Sequence, residues 1–431
     1  MHMDLLILVL FVAILLGCVI FGGSIVVALL LGYVLFSFFA LKKGFSLKAL
    51  FSMSAEGIKT TGTILITFLL IGVLTSLWRA GGTIAAIVCY SAGIIRPGVF
   101  ILLSFLLCCL VSFLTGTAFG TSATMGAICV TIAQAFGADP VLTGGAVLGG
   151  AYFGDRCSPV STSALLVATV TKTDLYGNLR RMARSCIVPF VLTCAVYLIC
   201  GLAAKTSGTA PDIRAMFSRE FRLGFVAVLP AVMILVLALC KLKVRHIMLA
   251  GIFVSVLVCL FYQKLSVLDV LRVSVLGFVP RDEALKAMIS GGGIASMIKV
   301  TAIVCISSSY AGIFRQTGLL SPVERLIGRL AGTLSTFAVV LIVSVVTGAV
   351  ACNQTLSIML TDQLCSKLEQ DKDRFALYLE NSAVVVVPLL PWTVACSVSL
   401  TSAGAPLQGF CTAFFLMLLP IYSLIAFRKK R

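Results

Sequence analysis

"GGAVLGGAYFGDRCSPVSTSALLVA" (residues 144–168) is built almost wholly from small and apolar residues, yet it carries Asp155 and Arg156 side by side and a proline at 159. An ionised side chain in a membrane helix costs about 2.5–3.5 kcal/mol on insertion scales. Pro159 removes a backbone donor and stops a helix from running on. Charge and a helix break together at depth are tolerated where protein or a water-filled cavity receives the freed backbone groups. The reading of this stretch therefore turns on whether the chain around it belongs in a bilayer, and on which other segment faces it.

The surrounding composition answers the first question. Of 431 residues, 60% are apolar and 11% charged, and the mean hydropathy is +1.13, too little polar surface to cover a water-soluble globule. Runs of about 17–25 apolar residues, each long enough to cross the hydrocarbon layer as a helix, recur along the whole chain. They are continuous and rich in Leu, Ala and Val, not alternating over about ten residues as in a barrel. The expected fold class is an all-α polytopic membrane protein. A net charge of +17 does not point to nucleic acid, because the basic residues fall in short loops and form no patch interleaved with aromatics. Lys42-Lys43, Arg180-Arg181-Arg184, Lys241-Lys243-Arg245 and the "RKKR" at 428–431 read instead as cytoplasmic loops. The sixteen cysteines form no C-x-x-C pair, and His2 and His246 are the two histidines. Zinc sites and a Ser-His-Asp triad are thus unsupported, and no enzyme is expected. The N-terminal "MHMDLLILVLFVAILLGCVIFGG" lacks a basic leader region and carries Asp4, so a first transmembrane helix is expected there rather than a cleaved signal. These features predict a multi-pass protein of a plasma (inner) membrane, with lipid and a small solute as partners.

Candidate helices fall near 5–22, 24–40, 57–77, 98–136, 140–172 and 183–204. After the polar stretch 205–222 come 223–240, 246–263, 294–314, 331–364, 376–402 and 406–427. The chain divides accordingly into halves 1–204 and 223–431 joined by the linker 205–222. Short matches tie the halves together. "LWRAGG" (77–82) parallels "IFRQTG" (313–318), and "SFLTGTAFGTSAT" (112–124) parallels "SVVTGAVACNQTL" (344–356). The basic clusters fall at non-equivalent loops of the two halves, as expected for repeats of inverted topology, the arrangement of many secondary transporters. Such carriers bind their solutes where broken helices meet near the midplane.

Two such breaks are expected. "TGTAFGTSAT" (115–124) offers Thr115, Thr117, Thr121 and Ser122 with Gly116 and Gly120, and "TGAVACNQTLS" (347–357) offers Asn353, Gln354 and Thr355. The glycine pairs Gly116-xxx-Gly120, Gly145-xxx-Gly149 and Gly150-xxx-Gly154 also suit close helix packing. Among the acidic residues, Asp155 and Glu380 sit deepest in apolar sequence, followed by Pro159 and Pro388 respectively. Asp155 reads either as an ion or proton site or as half of a structural pair with Arg156. Glu380 reads either as a second buried acid or as an interfacial residue after the polar loop.

"LWRAGGTI" (77–84), "TGTAFGTSAT", "GGAYFGDRCSP" (149–159) and "YLENSAVVVVPLLPW" (378–392) together resemble the NhaC-type sodium/proton antiporter family, which includes malate/lactate exchangers. The resemblance implies two inverted repeats with broken helices and re-entrant hairpins, a scaffold and a transport domain, and a homodimer. It implies a site made of Thr115, Thr117, Thr121, Ser122, Asp155, Ser158, Asn353, Gln354, Thr355, Glu380 and Asn381, with Asp155 a sodium ligand and Arg156 its charge partner. Two departures weaken that sodium site: Thr162 and Asn381 stand where the family carries aspartates. The expected activity is cation/proton antiport by alternating access, in which a cation and a proton exclude each other at Asp155. The alternative is a coupled carrier of a small organic acid or amino acid, its carboxylate held by Arg156 or a half-helix N-terminus. No cofactor is expected besides the transported or coupling Na+.

Overall fold

The computed structural model describes residues 2–431 except 22, 60–61, 93–96, 136, 160, 204–212, 241, 243, 283–284, 287–288, 320–326 and 428–431. The first part of the 205–222 linker, Lys241, Lys243 and the terminal basic run thus lie outside the described residues. Helices α1 His2–Ile20, α2 Ile25–Lys42, α3 Leu47–Lys59, α4 Gly62–Ala80 and α5 Thr83–Ala92 open the chain. Next come α6 Pro97–Thr115, α7 Ala118–Thr121, a π turn Ser122–Gly126, α8 Ala127–Ala135, α9 Pro140–Cys157, α10 Thr162–Thr171 and α11 Leu175–Ala203. Then follow α12 Ile213–Ser218, α13 Phe225–Leu239, α14 Val244–Leu257, α15 Val267–Leu276 and α16 Gly293–Thr317. The rest is α17 Thr336–Ala351, α18 Gln354–Cys365, α19 Lys372–Asn381, α20 Ala383–Val386, α21 Val394–Ala403 and α22 Phe414–Ala426.

The polarity of this bundle is inverted relative to a soluble protein. Ile199 and Leu202 on α11 are each 64% exposed, whereas Arg156 and Glu380 are fully enclosed and Asp155 nearly so. Among the described residues, five helical segments are long and apolar enough to cross a membrane, including 25–42, 118–135 and 175–203. A sixth is formed by Lys372–Leu389 and Val394–Ala403, bent by 59° at the break between them. Apolar surface outside and charge inside is the arrangement a bilayer demands, and the chain is an integral membrane protein.

The glycine-rich stretch forms α9 despite its low helix propensity, and its start and its flank explain why. Asp139 caps it, accepting from Val141 N at 2.8 Å, and Pro140 occupies the first turn, where no donor is needed. Its flank lies directly on α6: a Cβ at Gly150 would meet Phe105 O and Cys108 Cβ, and one at Gly154 would meet the backbone of Ser112 and Phe113. Gly150-xxx-Gly154 is therefore a packing pair. Gly145-xxx-Gly149 is not, since Gly145 abuts Thr412 while Gly149 has ordinary van der Waals room. Gly154→Leu forces α6 and α9 apart against backbone; overpacking of this kind costs about 3 kcal/mol. The expected result is a sharply lower melting temperature and a smaller monodisperse fraction in detergent. Wild-type values would show the interface to be loose.

Local conformations recur along the chain at two fixed offsets. Gly82 and Gly318 are both left-handed, at φ +70° and +64°, and so are Gly116 and Cys352, at +64° and +55°. Each pair is 236 residues apart (318 against 82, 352 against 116). The residue after each break, Thr117 or Asn353, is extended and caps the next helix. Further on the offset is 232: Asp139 and Asp371 cap α9 and α19, Ser161 and Thr393 cap α10 and α21, and left-handed Lys172 and Gly404 end those helices. These offsets correct two pairings made on residue identity. At the 236 offset Gly116 falls on left-handed Cys352 and not on Gly348, which lies inside α17, and at the 232 offset Pro159 falls on Pro391 and not on Pro388. What recurs is the backbone turn, not the residue type that makes it.

The expected long segments are all present but interrupted: 98–136 at Gly116-Thr117, 140–172 at 158–161, 331–364 at Cys352-Asn353, and 376–402 at Ser382 and again at 390–393. Amphipathic α3, the short α5 and the ten-residue α15 were not anticipated.

Candidate functional site

Asp155 occupies the last turn of α9, and the Ser158-Pro159 break turns the chain back so that α10 begins beside it. Ser161, which caps α10, donates its hydroxyl to Asp155 Oδ1 at 3.1 Å, and Ser163 donates to Oδ2 at 2.9 Å. The carboxylate thus faces the N-terminal end of α10, where the helix dipole favours negative charge. Ser158 is buried and forms the C-cap of α9. Thr162, between the two serines, is exposed and takes no part in holding Asp155.

One helix break reaches this carboxylate and the other packs beside the end of α9 that carries it. From the first half, Ser112 donates to Ala151 O and packs with Phe113 against Gly154, which sets the turn at Gly116-Thr117 next to the last turn of α9. Thr117 caps α7 by accepting from Gly120 N at 3.3 Å, Thr121 is buried, and the buried Ser122 hydroxyl has no hydrogen-bond partner among the described residues. The side chain of Thr115 lies outside the described residues. From the second half, Asn353 accepts from Thr355 N at 2.9 Å and starts α18. Gln354 donates to Val384 O at 2.8 Å and also lies within interaction range of Asp155. Thr355 is exposed and not a partner of the buried acids. Cys352 holds its left-handed turn without being glycine, a conformation that costs about 1–3 kcal/mol and clusters at functional sites.

Arg156 and Glu380 complete the cluster, in an arrangement the linear sequence conceals. The fully buried guanidinium donates through Nε to Glu380 O at 3.2 Å, through Nη1 to Met182 O at 3.4 Å, and through Nη2 to Ser185 Oγ at 3.1 Å and to Asn381 Oδ1. It makes no ion pair with Asp155. Among the described residues, the one carboxylate–guanidinium contact within 4 Å is Arg181–Asp373, at 2.7 Å. Glu380 is fully enclosed rather than interfacial, and neither carboxylate oxygen has a hydrogen-bond partner among the described residues. It lies close enough to both Arg156 and Asp155 to interact with their charges.

Ser161 and Ser163 are the partners of Asp155 that the sequence reading passed over. Their signal was present as two serines one residue apart just beyond a Ser-Pro break. Replacing both by alanine removes two charge-assisted hydrogen bonds, each worth about 1.5–3 kcal/mol. The double variant is expected to lower the melting temperature in detergent by several degrees, and a wild-type value would show that the serines do not hold Asp155.

Buried carboxylates at paired breaks in an apolar helical bundle define a membrane carrier of a small ion or solute. The sequence matches the Na+/H+ antiporter family over residues 2–174 and 150–427, and the chain belongs to that family, whose members are transporters rather than enzymes. It is 27% identical over 388 residues to the Na+/H+ antiporter NhaC of Alkalihalophilus pseudofirmus, covering 87% of this chain and 83% of that one. Similarity extends to the malate-2H+/Na+-lactate antiporter of Bacillus subtilis, at 24% identity over 85% of this chain and 81% of that one. The arginine/ornithine antiporter ArcD of Halobacterium salinarum is 27% identical over 83% of this chain and 76% of its own.

Proposed function

We propose that the chain is a sodium/proton antiporter of a plasma membrane, crossing it many times, in which Na+ and H+ exclude each other at Asp155. The supporting observation is the enclosed Asp155 carboxylate, held by two hydroxyls where two helix breaks meet. An ion in so poorly hydrated a place is stable when its charge is neutralised. A proton does this directly. A sodium ion does it through oxygen ligands, the type hard cations prefer, from the carboxylate and the hydroxyls of Ser161 and Ser163. Occupancy by one excludes the other, and that exclusion couples the two fluxes. Residues 1–204 and 223–431 act as inverted repeats joined by 205–222, each contributing a helix break to one transport domain, and movement of that domain against the scaffold exposes the site to alternate sides. The matched caps at offsets of 236 and 232 favour this division, and a homodimer is the expected assembly.

The second reading, sodium- or proton-coupled exchange of a small organic acid or amino acid, is favoured by relatives named for malate, lactate, arginine and ornithine. One experiment separates the two. Proteoliposomes holding the purified protein and a pH-sensitive dye receive a sodium pulse. Proton movement opposite to sodium, with no organic solute present, is the expected result. A flat trace that responds once a labelled organic acid is supplied would replace antiport of the two cations with the carrier reading.

A further inference from the structure

A second site lies off the first, on the far side of Arg156. Between α11, α19 and α22 is a cavity of about 300 Å³ lined by Arg181, Arg184, Ser185, Leu377, Tyr422 and Ser423, among others. That volume is at the small end of the range for small-molecule pockets.

Its charge is set by two guanidinium groups. Arg181 is held by Asp373 and by Asn178 Oδ1, at 2.8 Å. Arg184 is exposed and has no hydrogen-bond partner among the described residues. Arg181 is compensated by Asp373, with Asp174 also beside it, so the uncompensated charge at the mouth is that of Arg184. Its floor is polar and continuous with the buried core: Ser185 accepts from Arg156 Nη2, and Ser423 accepts from Asn381 Nδ2 at 2.9 Å. One layer of hydroxyls therefore separates the cavity from the side chains that surround Glu380. The remaining walls are apolar. The free guanidinium and a short apolar wall together suit an anion that is small and carries carbon. They suit neither a metal cation, which the arginines repel, nor a nucleotide, which the volume does not admit.

We propose that this cavity binds a small organic carboxylate, with Arg184 as its principal charge partner and Arg181 and Tyr422 orienting it. Arginine recognises a carboxylate in two parallel hydrogen bonds, a geometry lysine does not reproduce. The site goes beyond the cation and proton chemistry at Asp155 and uses none of the same side chains.

The test uses the full chain in phosphatidylcholine nanodiscs and labelled succinate in equilibrium dialysis. Saturable binding of one succinate per chain is expected, weakened about tenfold or more by Arg184→Ala and only partly restored by Arg184→Lys. Arg184 is exposed and outside the Asp155 site, so sodium-driven proton flux in the same variant is expected to stay at the wild-type level, which controls for folding. Absence of succinate binding overturns the proposal, as does binding that Arg184→Ala leaves unchanged. Arg184-dependent stabilisation by phosphatidylglycerol with no succinate bound would make the cavity a lipid headgroup site and also overturns it. If succinate binds as expected while wild-type protein moves no protons with sodium, the antiport reading fails and this one stands.

Discussion

Asp155→Asn is expected to reduce sodium-driven proton movement about 100-fold or more while leaving the protein folded. The amide has the shape of the acid, and its oxygen still accepts from a serine hydroxyl, so the packing between α9 and α10 survives. What it lacks is charge: it neither takes up a proton in this pH range nor compensates a sodium ion. Losing a charged partner is worth about 1.5–3 kcal/mol, and each 1.4 kcal/mol is a factor of ten, so affinity and coupling both collapse. The measurement is the sodium pulse on proteoliposomes, with size-exclusion behaviour and melting temperature as the check on folding. A well-folded variant with near-normal flux would remove Asp155 from the transport site. Glu380→Gln is the informative companion, since an amide there keeps the shape of the side chain and removes its acid.

Arg156→Leu is expected to do its damage earlier, in the fold. The guanidinium holds two backbone carbonyls, a serine hydroxyl and the Asn381 amide oxygen, and so ties α9 to α11 and α19. Leucine takes the Asn381 amide oxygen's guanidinium donor away and removes the enclosed guanidinium from beside Glu380. Breaking a buried charged network by removing one member costs about 3–5 kcal/mol, enough to lower the melting temperature in detergent by many degrees. Lysine offers one point of attachment in place of a planar fork, so Arg156→Lys is expected to recover part of the loss. A melting temperature equal to wild type in Arg156→Leu would mean that the network does not hold these helices together.

The membrane character, the four interrupted helices and the depth of Asp155 were all legible in the sequence, because each leaves a local mark. Apolar run length, Gly or Pro at a break, and a lone charge in greasy surroundings can be read one window at a time. The partners of those charges could not be read this way. Arg156 and Asn381 are 225 positions apart, and adjacent numbering suggested instead that Arg156 would pair with Asp155. On a helix, consecutive residues point about 100° apart, and here one side chain turns to the serines of α10 while its neighbour turns to α11 and α19. Helix α3 escaped notice because "LKALFSMSAEGIK" mixes polar and apolar residues at helical spacing, which a search for continuous apolar runs passes over.

The contact between α6 and α9 restricts how this molecule can move. Gly150 and Gly154 bring one helix backbone against the other so closely that a single Cβ has no room, and the Ser112–Ala151 hydrogen bond fastens the pair. Surfaces fitted that tightly do not slide past each other, because close-packed interfaces have discrete arrangements and no continuous range of them. The two helices travel as one rigid block, carrying the Asp155 carboxylate and the Gly116 turn together. The plane of sliding must pass elsewhere, along contacts between side chains of ordinary size, and a crosslink joining α6 to α9 should therefore leave turnover intact.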